Sequence, residues 1–217
     1  MATLTLLQKF FVWILPVIFA ITVHEVAHGW VASKLGDKTA LMLGRITLNP
    51  LKHLDLVGSI IIPLACLFVG GFIFGWAKPV PVNWQNLRHP KRDMLLVAAA
   101  GPFVNFLMAF LWAVIAKIGE ALVAANMSNA IAFVYIGIAG ISINIMLAVL
   151  NLIPIPPLDG SRVLASLLPA SAANIYNKIE PYGFFILMAL IVSGILSRVL
   201  MPSVSWMQNI IIRLFEL

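Results

Sequence analysis

Apolar residues run along this chain in long blocks, separated by shorter stretches rich in polar residues, glycine and proline. The blocks extend from about Phe10 to Val31, Leu56 to Trp76, Met94 to about Ile118, about Ala130 to Ile153, and Tyr182 to about Leu200. A helix rising 1.5 Å per residue needs about 20 such residues to cross the hydrocarbon core of a bilayer. Each block therefore predicts a membrane-embedded segment. The second is interrupted by Pro63, Gly70-Gly71 and Gly75. In the connector Ser33 to Asp55, the stretch Thr39–Leu48 is expected to form short strands around Gly44. Pro154, Pro156 and Pro157 stop the fourth block, because proline lacks an N–H and crowds the preceding turn. A short helix is predicted over Ser161–Leu168. Beyond Pro202, the residues Trp206, Met207, Ile210, Ile211 and Leu214 recur at helical spacing among polar ones, which predicts an interfacial amphipathic helix.

Composition agrees. Of 217 residues, 62% are hydrophobic and 10% charged, against about 25% charged in a soluble domain. So little charge excludes both a water-soluble surface and a disordered chain. The net charge of +6 is not gathered into a stripe that tracks a phosphate backbone, so nucleic acid is not an expected partner. Excess Lys and Arg instead read as cytoplasmic loops. The lone cysteine, Cys66, allows neither an internal disulfide nor a cysteine metal site. The first block is too long and carries too many ionisable groups for a secretory signal. With no internal repeat and no appended soluble domain visible, residues 1–217 read as one membrane-embedded domain. The expectation is an all-α polytopic membrane protein.

The first block contains His24-Glu25-Val26-Ala27-His28. Residues four apart share a helix face, so two imidazoles there can hold one metal ion with the glutamate beside it as general base. The plainer reading is a pair of histidines hydrogen-bonding between helices. Ionisable groups inside a span are expensive, however, and three within five residues need a common purpose. A catalytic zinc site takes a third protein ligand and leaves a position open. His53 and His89 sit in connectors, as do Asp37, Asp55 and Asp93, while Glu120, Glu180 and Glu216 follow or flank later blocks. Asp159 differs, lying just past the proline break of the fourth block, where irregular backbone can line a cavity. It serves either as a ligand or as the N-cap of the helix that follows.

These residues resemble the site-2 proteases, the zinc intramembrane metalloproteases. The resemblance rests on His24-Glu25-x-x-His28, on Asn151-x-x-Pro154-x-x-Pro157-x-Asp159-Gly160, and on Gly101-Pro102-x-x-Asn105. The segments Gly44 to His53 and Gly75 to Asn83 look like the compact prokaryotic branch, lacking the PDZ-like and nucleotide-sensing domains of larger relatives. It covers about residues 10–168, leaving the fifth block and tail, 180–217, outside the metal core. It implies one zinc per chain held by His24, His28 and Asp159, with Glu25 as base. It also implies a place for Asn151 near the scissile carbonyl, although an asparagine there can equally satisfy carbonyls freed by the prolines. Asn105 reads as a polar contact between helices. The implied activity is cleavage of transmembrane or membrane-proximal segments of membrane-protein substrates. The strand-prone stretch Thr39–Leu48 either pairs edge-on with the unwound substrate or is a plain connector. The rival from another class is a membrane metal carrier using the same ligands. The sequence does not set the oligomeric state.

Counting all five blocks as spans puts Asp159 at the opposite membrane face from the histidines. If 56–76 enters and returns on one side, the conflict disappears. Basic residues then gather on the histidines' side, leaving only Lys9, Lys117, Arg198 and Arg213 on the other. The expectation is therefore four full spans plus a re-entrant segment, with the metal nearer the cytoplasm of a prokaryotic inner membrane.

Overall fold

The computed structural model describes residues 4–55, 57–61 and 77–217. Among them the structure is helical throughout. The first helix, α1 (Leu6–Lys34), is opened by Thr5 and Gln8, whose side chains each bond the other's backbone N–H, a reciprocal cap at the apolar run's polar margin. The second long helix, α3 (Pro90–Ala124), and the third, α4 (Ile131–Asn151), are joined by a tight hairpin. Among the described residues, four segments are long and apolar enough to cross a membrane: Leu7–Lys34, Pro90–Ala124, Ser128–Asn151 and Ala170–Val192.

The core is the packing of α1, α3 and α4. Small residues bring α3 and α4 together, as they do wherever helices must meet without a hydrophobic driving force. A Cβ at Gly137 would lie 2.6 Å from that of Ala116, and one at Gly140 would lie 2.2 Å from the Trp112 ring. The indole thus sits in a notch cut by Gly140. Descending α3 meets ascending α4: Gly119 faces Val134, Ala116 faces Gly137, and Asn105 faces Asn144. Helix α1 is antiparallel to α3 in the same way, with His28 beside Val97 and Ala20 beside Asn105.

The end of α1 and the start of α3 are tied directly, Arg88 N–H donating to Leu35 O at 3.1 Å. A second closure lies inside the first, with Lys78 N–H donating to His53 O at 2.9 Å. The two connectors therefore lie together at one end of the bundle. Asp37, fully buried, accepts from the Thr39 N–H and hydroxyl, from Asn83 N–H and from the Asn86 amide. The expected re-entrant segment 56–76 lies outside the described residues, apart from a wide helical turn at Val57–Ile61.

Two expectations need correction. Thr39–Leu48 forms no strand: Thr39–Met42 is a single helical turn, α2. The Asp37 carboxylate captures the Thr39 N–H and starts the turn, Ala-Leu-Met favours it, and Gly44 at φ +61° ends it with Arg45 N–H on Ala40 O. The proposed edge for a substrate strand is therefore absent there. The fifth block is also not one helix. It divides into α7 (Gly183–Val192) and α8 (Ile195–Phe215) at Gly194, whose φ of +73° favours glycine. Helix α8 runs through Pro202 instead of beginning after it. Leu196 and Leu200 pack with Leu187 of α7, while Val204 and Ile211 join the α3–α4 core at Trp112, Ile141 and Ile145. Packing on both sides holds the helix together across the proline, so the tail is joined to the bundle.

Candidate metal centre

Helix α5 (Asp159–Leu167) begins where the proline-rich turn folds back onto the end of α4. The turn is tight enough that a Cβ at Gly160 would lie 2.3 Å from Leu152 O. Leu158, not Asp159, is the N-cap, and no side chain caps the helix. The carboxylate of Asp159 points instead into the bundle, at the N-terminal end of α5, where the helix dipole favours negative charge. Tyr176, on α6 (Ala170–Asn177), donates to Pro154 O at 2.8 Å, and Arg162 of α5 pairs with Glu180. These contacts hold the turn that presents Asp159.

The three sequence-predicted ligands converge. His24 Nε2 and His28 Nε2 are 3.1 Å apart, and Asp159 Oδ2 lies 3.1 Å from the first and 3.2 Å from the second. His24 and His28 are both buried, and Asp159 is partly so. The distant nitrogen of each ring is engaged: His28 Nδ1 lies 2.7 Å from Val97 O, and His24 Nδ1 lies 2.5 Å from Asn105 Oδ1. A main-chain carbonyl only accepts, so His28 carries a proton on Nδ1, and in the neutral ring this leaves the Nε2 lone pair turned inward. Asp159 Oδ2 is buried without a hydrogen-bond partner. Such electron-rich atoms facing one another call for a cation between them. Four-coordinate zinc with ligands at about 2.0 Å has edges of about 3.3 Å, close to the observed triangle. The donor set therefore fits zinc.

Gly101 completes the cradle. A Cβ there would lie 2.4 Å from His28 Nε2 and 2.6 Å from His24 Nε2, so α3 passes the ligands with no room for a side chain. Glu25, the next residue along α1, turns to a different neighbour: its Oε2 accepts the Val80 N–H at 2.7 Å. Asn151 ends α4 half-buried, its amide donating to Leu147 O one turn back at 3.0 Å. Asn105 is fully buried and touches a ligand ring, a closer tie to the site than the interhelical contact read from sequence. Two further residues bear on the site, Asn144 through Asn105 and Val80 through Glu25. An asparagine inside an apolar helix is the cue that marks Asn144; Val80 acts through its backbone and leaves no cue.

The helical membrane fold and a histidine–histidine–aspartate cluster define an integral membrane protein with a metallopeptidase-type site. The model of peptidase family M50 matches residues 12–126 and 116–194. The chain belongs to this family, that of the site-2-type metalloproteases. It is 38% identical over 207 residues to a Bacillus subtilis protein named "Putative zinc metalloprotease YwhC", covering 94% of this chain and 90% of that one. It is 29% identical over 191 residues to "Putative zinc metalloprotease Rip2" of Mycolicibacterium smegmatis, covering 87% and 70%. The Rip2 of Mycobacterium tuberculosis H37Rv is 27% identical over 199 residues, covering 91% and 70%. No solved structure matches the chain.

Proposed function

We propose that this protein is a zinc-dependent intramembrane endopeptidase that cleaves transmembrane or membrane-proximal segments of other membrane proteins. The observation that carries the reading is the convergence of His24 Nε2, His28 Nε2 and Asp159 Oδ2 into a triangle of the size that a bound zinc ion requires. Membership of a peptidase family favours hydrolysis over metal transport with the same ligands. Zinc held by these residues supplies Lewis acidity, lowering the pKa of water towards about 7 and polarising a carbonyl. Glu25 takes the proton of the attacking water and delivers it to the departing amine. Asn151 has a second amide hydrogen beyond the one spent on Leu147 O, available to a developing oxyanion. The substrate helix must unwind before its peptide bond can be attacked, so helix-breaking residues in the substrate assist.

The ends of 56–76 support its reading as a re-entrant segment, because His53 and Lys78 are hydrogen-bonded and both connectors lie at the zinc end of the bundle. The basic residues of those connectors favour placing that end at the cytoplasmic face of a prokaryotic inner membrane.

The test needs no known substrate at first: zinc per chain in purified wild type beside Asp159→Ala. About one zinc in wild type, lost from the variant, is the expected result; zinc unaffected by the substitution would remove Asp159 from the site. Once a substrate is in hand, Glu25→Gln is expected to keep zinc and abolish cleavage, and retained turnover would end the base assignment.

A further inference from the structure

We propose that two buried asparagines, Asn105 and Asn144, form a one-way hydrogen-bond chain that fixes His24 in the form able to bind metal. The inference rests on the zinc reading and concerns residues to which that reading gives no part. Both asparagines are fully buried between α1, α3 and α4. Asn144 Nδ2 lies 2.9 Å from Gly140 O, Asn144 Oδ1 lies 2.8 Å from Asn105 Nδ2, and Asn105 Nδ2 also lies 3.2 Å from Ala20 O. Asn105 Oδ1 then faces His24 Nδ1.

Oxygen and nitrogen of an amide look alike, so the direction of such a chain is set by its fixed ends. Here both fixed ends are main-chain carbonyls, Gly140 O and Ala20 O, which accept and never donate. Turning the two amides round would set an oxygen against each carbonyl and leave two acceptor–acceptor contacts buried. Only one direction satisfies every group. Asn144 donates to Gly140 O, Asn105 donates to Asn144 and to Ala20 O, and Asn105 Oδ1 is left as a pure acceptor. His24 must therefore carry its proton on Nδ1, which leaves the Nε2 lone pair directed at His28 and Asp159. His28 gets the same instruction directly from Val97 O. The two ligand histidines are thus set by the backbones of α1, α3 and α4, one through a single bond and the other through a relay of two amides.

Asn105 and Asn144 are positioning residues, and outer partners of a ligand histidine are worth about 10–100-fold in metal affinity. The experiment measures zinc affinity of the detergent-purified full chain by competition with a chelator of known affinity, and the absorption spectrum of the cobalt-substituted protein. Asn105→Leu and Asn144→Leu keep the volume and remove the polarity; both are expected to weaken zinc by ten- to a hundredfold and to alter the cobalt spectrum. Asn144→Asp is the rescue: buried and neutral, its O–H replaces the donor to Gly140 O and its C=O still accepts from Asn105. It is expected to bind zinc within about threefold of wild type. Wild-type affinity and spectrum in both leucine variants would overturn the proposal, as would an Asn144→Asp protein as weak as Asn144→Leu. Wild type that binds no zinc would instead overturn the zinc reading itself.

Discussion

The main-chain N–H of Val80 donates to the carboxylate of Glu25 at 2.7 Å, across a gap of 55 residues in sequence. Its neighbours Pro79 and Pro81 have no N–H, so the Pro-Val-Pro run offers a single donor, and that donor is spent on Glu25. The Val80 side chain is buried, and a Cβ on Gly29 would lie 2.9 Å from its Cγ1. The run is therefore held against α1, one turn from the glutamate it bonds.

Val80→Pro removes that N–H from a run already made of prolines. A hydrogen bond to a charged group is worth about 1.5–3 kcal/mol, so cleavage is expected to slow by about ten- to a hundredfold. Zinc content should stay at the wild-type level. An unchanged rate would show that Glu25 needs no anchor.

Gly101→Ala separates the site from the fold. Alanine favours a helix over glycine by about 1 kcal/mol, so helix content by circular dichroism should hold. The added Cβ would meet both ligand nitrogens, and zinc affinity is expected to fall more than tenfold. Undiminished zinc binding would contradict the packing of α3 against His24 and His28.

Asp37 gives the connectors a pH dependence. Burial, the largest influence, pushes its carboxyl up, but bonds from the Thr39 hydroxyl, the Asn86 amide and the Asn83 and Thr39 N–H groups outweigh it and hold the pKa below the ordinary value. Stability from a depressed carboxyl is present above the unfolded pKa, about 3.9, and is lost as pH falls through the lower folded value. Wild type should exceed Asp37→Asn by about 1–3 kcal/mol at pH 7, with the gap closing below about pH 4. Thermal unfolding in detergent across that range measures it, and a gap independent of pH would refute the account.

Topology can be read by labelling single cysteines in a Cys66→Ser background. Lys34→Cys and Gln85→Cys are expected to react from the same membrane face, and Asn129→Cys, in the α3–α4 hairpin, from the other. Labelling of positions 34 and 85 from opposite faces would exclude a re-entrant 56–76.

Much of this arrangement is legible in the sequence, for identifiable reasons. His24, Glu25 and His28 stand out because ionisable groups are costly in an apolar run, and Asp159 because three prolines and a glycine announce a break beside it. The α2 turn is not legible in the sequence because its start depends on what the Asp37 side chain captures. The break falls at Gly194 and not at Pro202 because packing on both sides carries α8 through the proline, while the left-handed backbone at Gly194 separates α7 from α8. Asn144 is marked in the sequence as a polar residue in an apolar helix, but its role is not: its partner lies 39 residues away, and only the helix register brings the two amides together.

That register has a further consequence. The Trp112 ring fills the notch at Gly140, so α4 cannot slide along α3 without driving a backbone into an indole. Bilayers of different thickness are accommodated by tilting or shifting helices, at a small cost per ångström. Here the notch works as a detent against sliding of α4 along α3. A change of tilt in the membrane therefore leaves Asn144 on α4 level with Asn105 on α3.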